Sequence, residues 1–162
     1  MEITFGPFGE ENLAAMRQIW NDILQDGLAF PGEEPYTPAG FEEMLALQSS
    51  VGCLFANGRL AGYYVLHPNN IGRCAHVANA SYAIAKEYRG QKLAELLVRH
   101  SVQKAGELGF KGMQFNAVVV GNLAALHTYQ KIGFGVVGTI PGGFRLKSGE
   151  YSDMHILYLP LG

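Results

Sequence analysis

The chain has 162 residues, of which 48% are hydrophobic and 16% charged, and its formal net charge is −2 at pH 7. This balance excludes the basic excess typical of nucleic-acid-binding proteins, and no stretch approaches the ~20 apolar residues of a membrane span. The length predicts one domain over residues 1–162. Two cysteines without a C-x-x-C pair, and no signal-peptide pattern, predict a cytoplasmic protein with free thiols.

The first half of the chain predicts strands and helices separated by clear breakers. In chain order we expect a strand at 3–5, helices at about 11–25 and 38–48, and strands at 51–56 and 60–66. Asn57-Gly58 between the last two strands is the strongest hairpin signal in the sequence. Three prolines exclude a continuous helix from the loop at 27–38.

The second half alternates strands with helices. The predicted strands are 76–84, 113–120, 136–139 and 154–159, with a Pro-Gly-Gly turn at 141–143. A first helix, ending at Gly109, has an apolar stripe that comprises Leu93, Leu96, Leu97, Ala105 and Leu108. A second helix begins after Asn122, in an N-cap position, and ends at Gly133. The order β-α-α-β-β-β-α-β-α-β-β predicts a mixed sheet covered by helices.

The turn that opens the first of these helices is a candidate phosphate site. The first N–H groups of a helix lack partners inside it, and the helix dipole makes that end partly positive. Arg89 and Lys92 add positive charge, and Gly90 lets the backbone approach an anion closely. An ordinary helix start with solvated basic residues is the alternative interpretation of this turn alone.

Two motifs together resemble signatures of the GNAT acetyltransferase superfamily. Tyr88–Ala94 resembles the acetyl-CoA pyrophosphate signature [Gln/Arg]-x-x-Gly-x-[Gly/Ala], with Arg89 and Ala94 at its ends and Lys92 in place of the central glycine. A lysine there is expected to occupy a helical position without strain, although its stem restricts the approach of the diphosphate. Asn122-x-x-Ala125-x-x-x-Tyr129-x-x-x-Gly133-Phe134 resembles the second signature at matching spacing.

The resemblance implies an architecture as well as a co-substrate. It implies the GNAT acyl-CoA N-acyltransferase fold: an α/β mixed sheet, mostly antiparallel, with helices on both faces and a splay between the fourth and fifth strands. Such a splay would leave backbone groups free for the amides of pantetheine. The implied co-substrate is acetyl-CoA without a metal, and a homodimer is the implied assembly. The segment 138–145, with Asp153, resembles the branch that acetylates small amines and amino-acid analogues.

The resemblance also implies which residues contact the coenzyme. The predicted set is Ala83, Ile84, Lys86, Arg89, Gly90, Gln91, Lys92, Leu93, Ala94, Asn122 and Lys131. Ile84 would stabilise the oxyanion through its backbone N–H. Tyr129 is the predicted acid that protonates the thiolate, because an unperturbed tyrosine with a pKa of about 10 keeps its proton at neutral pH. A core tyrosine and a solvated Lys131 are the structural alternatives.

The acceptor side is less well defined by the sequence. Glu34 is the predicted general base, acting directly or through water, and Glu33 and His76 are further candidates. A solvent-facing loop acid is the alternative for both glutamates. The predicted acceptor-binding residues are Phe30, Tyr36, His76, Asn79, Asn116 and Arg145. Arg145, or Arg73, could hold a carboxylate of the acceptor in a bidentate pair.

Two functions of different classes follow from these motifs. The first is an N-acetyltransferase that moves an acetyl group from acetyl-CoA to a small amine, including an amino acid or analogue, by direct attack on the thioester. The second is a non-catalytic acyl-CoA-binding sensor or interaction module, which Lys92 and the undefined base leave open. Cys53 and Cys74 stay open as nucleophiles for an acyl-enzyme.

Overall fold

The computed structural model describes residues 1–162, and its elements follow the predicted order. The strands are β1 Ile3–Gly6, β2 Ser50–Ala56, β3 Arg59–Pro68, β4 Val77–Ile84, β5 Gly112–Val119, β6 Gly135–Arg145 and β7 Tyr151–Pro160. The helices are α1 Leu13–Asp26, α2 Pro38–Ala46, α3 Leu93–Glu107 and α4 Leu123–Ile132. Three short 3-10 turns lie at Glu10–Asn12, Gly72–Cys74 and Lys86–Tyr88.

All seven strands form one mixed sheet in the order β1-β2-β3-β4-β5-β7-β6. Neighbouring strands are antiparallel except β4 and β5, which run parallel and pair only at Val77–Gly112 and Ala78–Met113. The other edge of β4 stays paired with β3 as far as Ile84. The strands β4 and β5 therefore diverge, which confirms the predicted splay between the fourth and fifth strands.

Helices cover both faces of this sheet. On one face α1 and α2 bury a core that includes Met16, Phe41 and Tyr63. On the other face α3 packs on the sheet through Leu97, Val98 and their neighbours. The predicted stripe of α3 is partly wrong, because the side chains that are buried are Leu93, Leu97, Val98, Ser101 and Ala105, whereas Leu96 and Leu108 are 42% and 45% exposed.

The β2–β3 hairpin confirms the Asn-Gly turn. Asn57 and Gly58 both have positive φ, at 50° and 79°. Two central residues of this kind form the turn whose twist matches that of the flanking strands.

The predicted turn at residues 141–143 is wrong, since β6 continues through this segment as a bulge. The β6–β7 register passes from Ile140–Met154 to Phe144–Ser152, so that three residues lie opposite Asp153. An edge strand tolerates a proline because the missing N–H needs no partner on the open side. The N–H of Gly142 donates to Asp153 Oδ1 at 2.8 Å, which fixes the bulge.

Candidate active site

Five consecutive backbone N–H groups are unpaired where the chain enters α3. The N–H groups of residues 90–94 donate to no acceptor within the protein, and no side chain caps this end of the helix. Gly90 has φ of 77° and no other atom lies within 4 Å of where a Cβ would be, so the backbone here is open to a ligand. A run of free N–H groups at the positive end of a helix is suited to binding a phosphate or pyrophosphate.

Lys92 has a different conformation from the one that we expected. It is the N-cap of α3 rather than a helical residue, and its φ of 62° and ψ of 19° are left-handed. The left-handed region costs a non-glycine residue roughly 1–2 kcal/mol. The expectation that a lysine fits this position without strain is therefore wrong, because α3 begins one residue later, at Leu93.

Three of the basic residues around this loop are paired with acids. Arg89 Nη1 lies 3.1 Å from Asp26 Oδ2, and Lys86 Nζ lies 4.0 Å from Asp22 Oδ1. Lys131 Nζ lies 2.8 Å from Glu95 Oε1. Lys131 and Arg99 lower the pKa of the Glu95 carboxyl through hydrogen bonds to it. Of these three paired cations, only Arg89 lines a cavity next to the open N–H groups; Lys92, the fourth predicted cation, lines one of these cavities as well.

A continuous cleft runs from this loop into the splay between β4 and β5. A cavity of about 290 Å³ is lined by Gly90, Lys92, Leu93 and Ala94 of the loop and by Ile84. Two further cavities, of about 360 and 460 Å³, share the residues Tyr82, Ile84, Ala94, Asn122 and Tyr129. Because the cavities share lining residues, they form one path through the sheet.

The backbone of Ile84 faces this path. Ala85 N–H donates to Ala61 O at 2.9 Å, and hydrogen bonding in an antiparallel ladder alternates along the strand. The N–H of Ile84 therefore points away from β3, toward the side where β5 has diverged. Ala83 has the opposite orientation, because its backbone faces Tyr63 of β3 and its side chain is buried in the core beneath α1 and α2.

Tyr129 lines the cleft from α4. Asn122 caps this helix by accepting a hydrogen bond from the Ala125 N–H at 3.4 Å, and both residues also line the cleft. The Tyr129 ring packs on Phe115 with 4.6 Å between the ring centroids. Burial raises the pKa of Tyr129 to about 12, so the hydroxyl is a proton donor at neutral pH.

The splay brings together three of the predicted acceptor residues: Phe30, Asn79 and Asn116 all line the cavity of about 460 Å³. Asn69, which the sequence analysis did not identify, joins the two other asparagines. Its Oδ1 accepts hydrogen bonds from Asn79 Nδ2 at 3.1 Å and from Asn116 Nδ2 at 2.6 Å. Phe30 is supported by Trp20, with 4.4 Å between the ring centroids.

The other predicted acceptor residues and bases lie outside the cavity. Glu34 and His76 are exposed, and neither lines a part of the cleft. Tyr36 packs on Trp20, and Arg145 forms an ion pair with Glu33. The side chain of Gln91, a predicted coenzyme residue, donates from Nε2 to Glu87 O at 3.1 Å. Arg73, the alternative carboxylate partner, is exposed in the 3-10 turn before β4.

His67 lines the cavity of about 460 Å³ and was missed by the sequence analysis. It lies on β3 directly opposite Asn79 of β4. Its Nδ1 is 3.1 Å from Gln48 Oε1, and burial lowers its pKa. Tyr63, Val65 and His67 alternate along β3, so the sequence indicated that the three side chains share one face of the strand. Only the strand register shows that His67 borders the splay.

Neither cysteine is placed to attack a thioester in the cleft. Cys53 is buried among α1, α2 and the sheet, where burial raises the pKa of its thiol to about 12. Cys74 is exposed and lies outside the cleft.

No three His, Cys, Asp or Glu side chains lie close enough to share a metal ion. The longest helices also fall short of the length and apolar character needed to cross a membrane.

Comparisons with known proteins agree with this geometry. The model of the acetyltransferase (GNAT) family matches residues 13–134. The N-acetyltransferase aca1 of Schizosaccharomyces pombe is 30% identical over 98 residues, which cover 60% of this chain and 47% of that protein. The chain thus spans about half the length of this curated relative.

Solved structures share the whole fold. A GCN5-related N-acetyltransferase from Kribbella flavida is 28% identical, with 98% of each chain covered and a TM-score of 0.89. A GNAT superfamily phosphinothricin acetyltransferase from Sinorhizobium meliloti, solved in complex with acetyl-CoA, is 18% identical. That comparison covers 100% of this chain and 90% of the other, with a TM-score of 0.91, and at this identity it shows likeness of fold alone.

Proposed function

This chain belongs to the acetyltransferase (GNAT) family, and from that premise we propose that it transfers the acetyl group of acetyl-CoA to the amine of a small molecule. The observation that carries the proposal is the pairing of two features in one cleft. Five free N–H groups, at residues 90–94, lie at one end, and the hydroxyl of Tyr129 lies farther along it. The free N–H groups suit a diphosphate, and the Tyr129 hydroxyl suits the thiolate that the reaction releases.

The coenzyme is proposed to lie along the open edge of β4. Its pyrophosphate would accept hydrogen bonds from the N–H groups of residues 90–94, and its pantetheine would follow β4 through the splay. The thioester carbonyl would then reach the N–H of Ile84, where negative charge on its oxygen can be stabilised. Holding both reactants in one cleft removes much of the entropic cost of their encounter.

The transfer itself is proposed as a direct attack. The amine nitrogen forms a bond with the acetyl carbon, the carbon–sulfur bond breaks, and its electron pair goes to sulfur. Tyr129 protonates the departing thiolate, and a base takes the proton that the amine loses. The burial of Cys53 and the position of Cys74 outside the cleft support this route over an acyl-enzyme.

The acceptor is proposed to be a small primary or secondary amine. Amino acids and their analogues are the narrower candidates, but no Lys, Arg, Asp or Glu side chain lines the cavity of about 460 Å³. A carboxylate in this cavity would have no cationic partner, and Arg145 is engaged by Glu33 outside it. This supports amines that carry no carboxylate.

We propose in addition a cytoplasmic setting, which the two free cysteines support, and a homodimer.

A coupled thiol-release assay tests this function. The purified chain is mixed with acetyl-CoA and a panel of primary and secondary amines, and free coenzyme A is measured against a no-amine control. The proposal predicts amine-dependent thiol release and an acetylated amine of the correct mass. Acetyl-CoA binding without turnover across the panel would contradict it and would favour the non-catalytic sensor or interaction module.

A further inference from the structure

The acceptor side of the cleft contains one side chain that can take a proton near neutral pH, and it is His67. We propose that His67 is the general base, accepting the proton of the attacking amine at Nε2. This inference rests on the proposed function, and it assigns the role that Glu34 and His76 were expected to have.

The hydrogen bonds around His67 define its tautomer. Gln48 Nε2 donates to the backbone carbonyl of Met44 at 3.1 Å, which orients the amide so that Oε1 faces the imidazole. An amide oxygen can only accept, so His67 Nδ1 carries the hydrogen that is donated to Gln48 Oε1 at 3.1 Å. In a neutral ring the lone pair is then on Nε2, the atom that a base needs.

The surroundings of His67 keep the ring neutral without a competing charge. The other titratable groups on the cavity wall are Tyr82 and Tyr129, and burial raises the pKa of both, so they are uncharged. Asn79 from β4 and Gln48 beside α2 are neutral amides. Burial lowers the pKa of His67, so the ring is free to accept a proton at pH 7.

His67 and Tyr129 therefore have complementary roles on the wall of one cavity. Environments that push the pKa values of two groups apart are a common way of separating base from acid. As the carbon–nitrogen bond forms, the proton of the amine passes to Nε2. As the carbon–sulfur bond breaks, the proton of Tyr129 passes to sulfur. Loss of one proton from His67 and gain of one by Tyr129, through solvent, restores both groups for the next cycle.

Replacement of His67 gives the kinetic test. For the variant His67→Gln we expect kcat for the best amine of the panel to fall by about 100-fold or more, with the acetyl-CoA Kd within twofold of wild type. The wild-type kcat/KM should also decline on the acid side with a pKa below the ordinary histidine value of about 6.5, and this limb should be absent in the variant. The matched control is His127→Gln, an exposed histidine outside the cleft, which should retain wild-type rates.

A second variant changes Gln48, the residue that accepts the hydrogen bond from His67 Nδ1. Gln48→Glu places a carboxylate next to Nδ1, which should raise the pKa of His67 and move the acid limb of kcat/KM to higher pH. Nitrogen-15 NMR of the wild-type imidazole gives a readout that needs no turnover. We expect protonated Nδ1 and unprotonated Nε2 at pH 7.

The outcomes separate this inference from the proposed function. Unchanged kcat and an unchanged acid limb in His67→Gln would overturn His67 as the base while leaving the acetyltransferase intact. An NMR spectrum with the proton on Nε2, or with a doubly protonated ring at pH 7, would overturn it even if the variant failed to fold. A wild-type chain that binds acetyl-CoA but acetylates no amine would instead contradict the proposed function.

Discussion

Arg89 donates a hydrogen bond to Asp26 at 3.1 Å, so the last residue of α1 holds a cation of the loop with the free N–H groups. Both side chains are about 40% exposed (41% and 40%), and both line the cleft. A bound pyrophosphate would therefore compete with the Asp26 carboxylate for Arg89. Through this ion pair, the affinity for acetyl-CoA depends on Asp26, which need not touch the coenzyme.

Removal of the Asp26 charge is expected to tighten acetyl-CoA binding. Exposed ion pairs contribute up to about 1 kcal/mol, so we expect Asp26→Asn to lower the Kd about two- to fivefold in calorimetric titrations. Arg89→Gln should weaken binding, and in the double variant the gain from Asp26→Asn should shrink. Equal gains with and without Arg89 would show that the carboxylate acts on the ligand directly rather than through Arg89.

Replacement of Tyr129 by phenylalanine is expected to slow the chemical step. Tyr129→Phe retains the ring that packs on Phe115 but loses the hydroxyl, so kcat should fall about 100-fold with little change in acetyl-CoA Kd. The measurement combines steady-state thiol release with calorimetry. His127→Gln, which alters an exposed side chain of α4 outside the cleft, is the control for general effects on the helix. Full turnover in Tyr129→Phe would remove Tyr129 from the role of acid.

Lys92→Gly is expected to stabilise the fold and leave coenzyme binding intact. Glycine adopts the left-handed conformation of residue 92 without the cost that lysine has, so the free energy of unfolding should rise by roughly 0.5–1 kcal/mol. Urea denaturation measures the change, and Lys92→Ala, which removes the charge but keeps a Cβ, should show no such gain. A large loss of acetyl-CoA affinity in both variants would identify the Lys92 ammonium as a phosphate ligand.

The pH dependence of turnover on the alkaline side follows from the burial of Tyr129. Its pKa of about 12 means that the hydroxyl keeps its proton well above neutral pH. Because the protonated form is the acid, kcat should not fall through loss of this proton between about pH 7 and pH 10. The check is a kcat–pH profile corrected for spontaneous thioester hydrolysis. An alkaline limb near pH 9 that disappears in Tyr129→Phe would contradict this assignment.

The cavity of about 460 Å³ has no Lys or Arg side chain to pair with a carboxylate, and pairs of acceptors that differ by one carboxylate test the consequence. Phenethylamine and phenylalanine differ by one carboxylate, and we expect kcat/KM to favour phenethylamine by at least about tenfold, since burial of an unpaired carboxylate is costly. Tyramine and tyrosine provide a second pair. A preference for the amino acids, lost in Arg145→Ala, would show that Arg145 leaves Glu33 to bind the acceptor.

Local sequence signals predicted most of the fold. Helix caps such as Asn122, the Asn57-Gly58 turn and the alternating apolar patterns each depend on neighbours in the chain, so they were readable without a structure. The splay of β4 and β5 was implied by the family motifs alone, because nothing in composition or spacing determines how far two paired strands diverge. The bulge at residues 141–143 was missed because it depends on the place of β6 at the sheet edge.

The site was less predictable than the fold for a related physical reason. The coenzyme loop is a local feature, and its residues lie together in the structure. The acceptor side is assembled across strands, where the register brings His67 opposite Asn79 and places Asn69 between two other amides. Loop acids such as Glu34 looked suitable in the sequence, but side-chain orientation and ion pairing, as for Glu33 with Arg145, decide what reaches the cleft.

Calorimetric titration of the wild-type chain with acetyl-CoA tests most directly whether the N–H groups of residues 90–94 bind a coenzyme diphosphate. We predict one binding site per chain with a Kd between about 1 μM and 1 mM, the usual range for enzyme substrates, and weaker binding for acetyl-pantetheine, which lacks the diphosphate. No heat of binding from correctly folded protein at millimolar acetyl-CoA, or equal affinity for acetyl-pantetheine, would contradict the assignment of this loop.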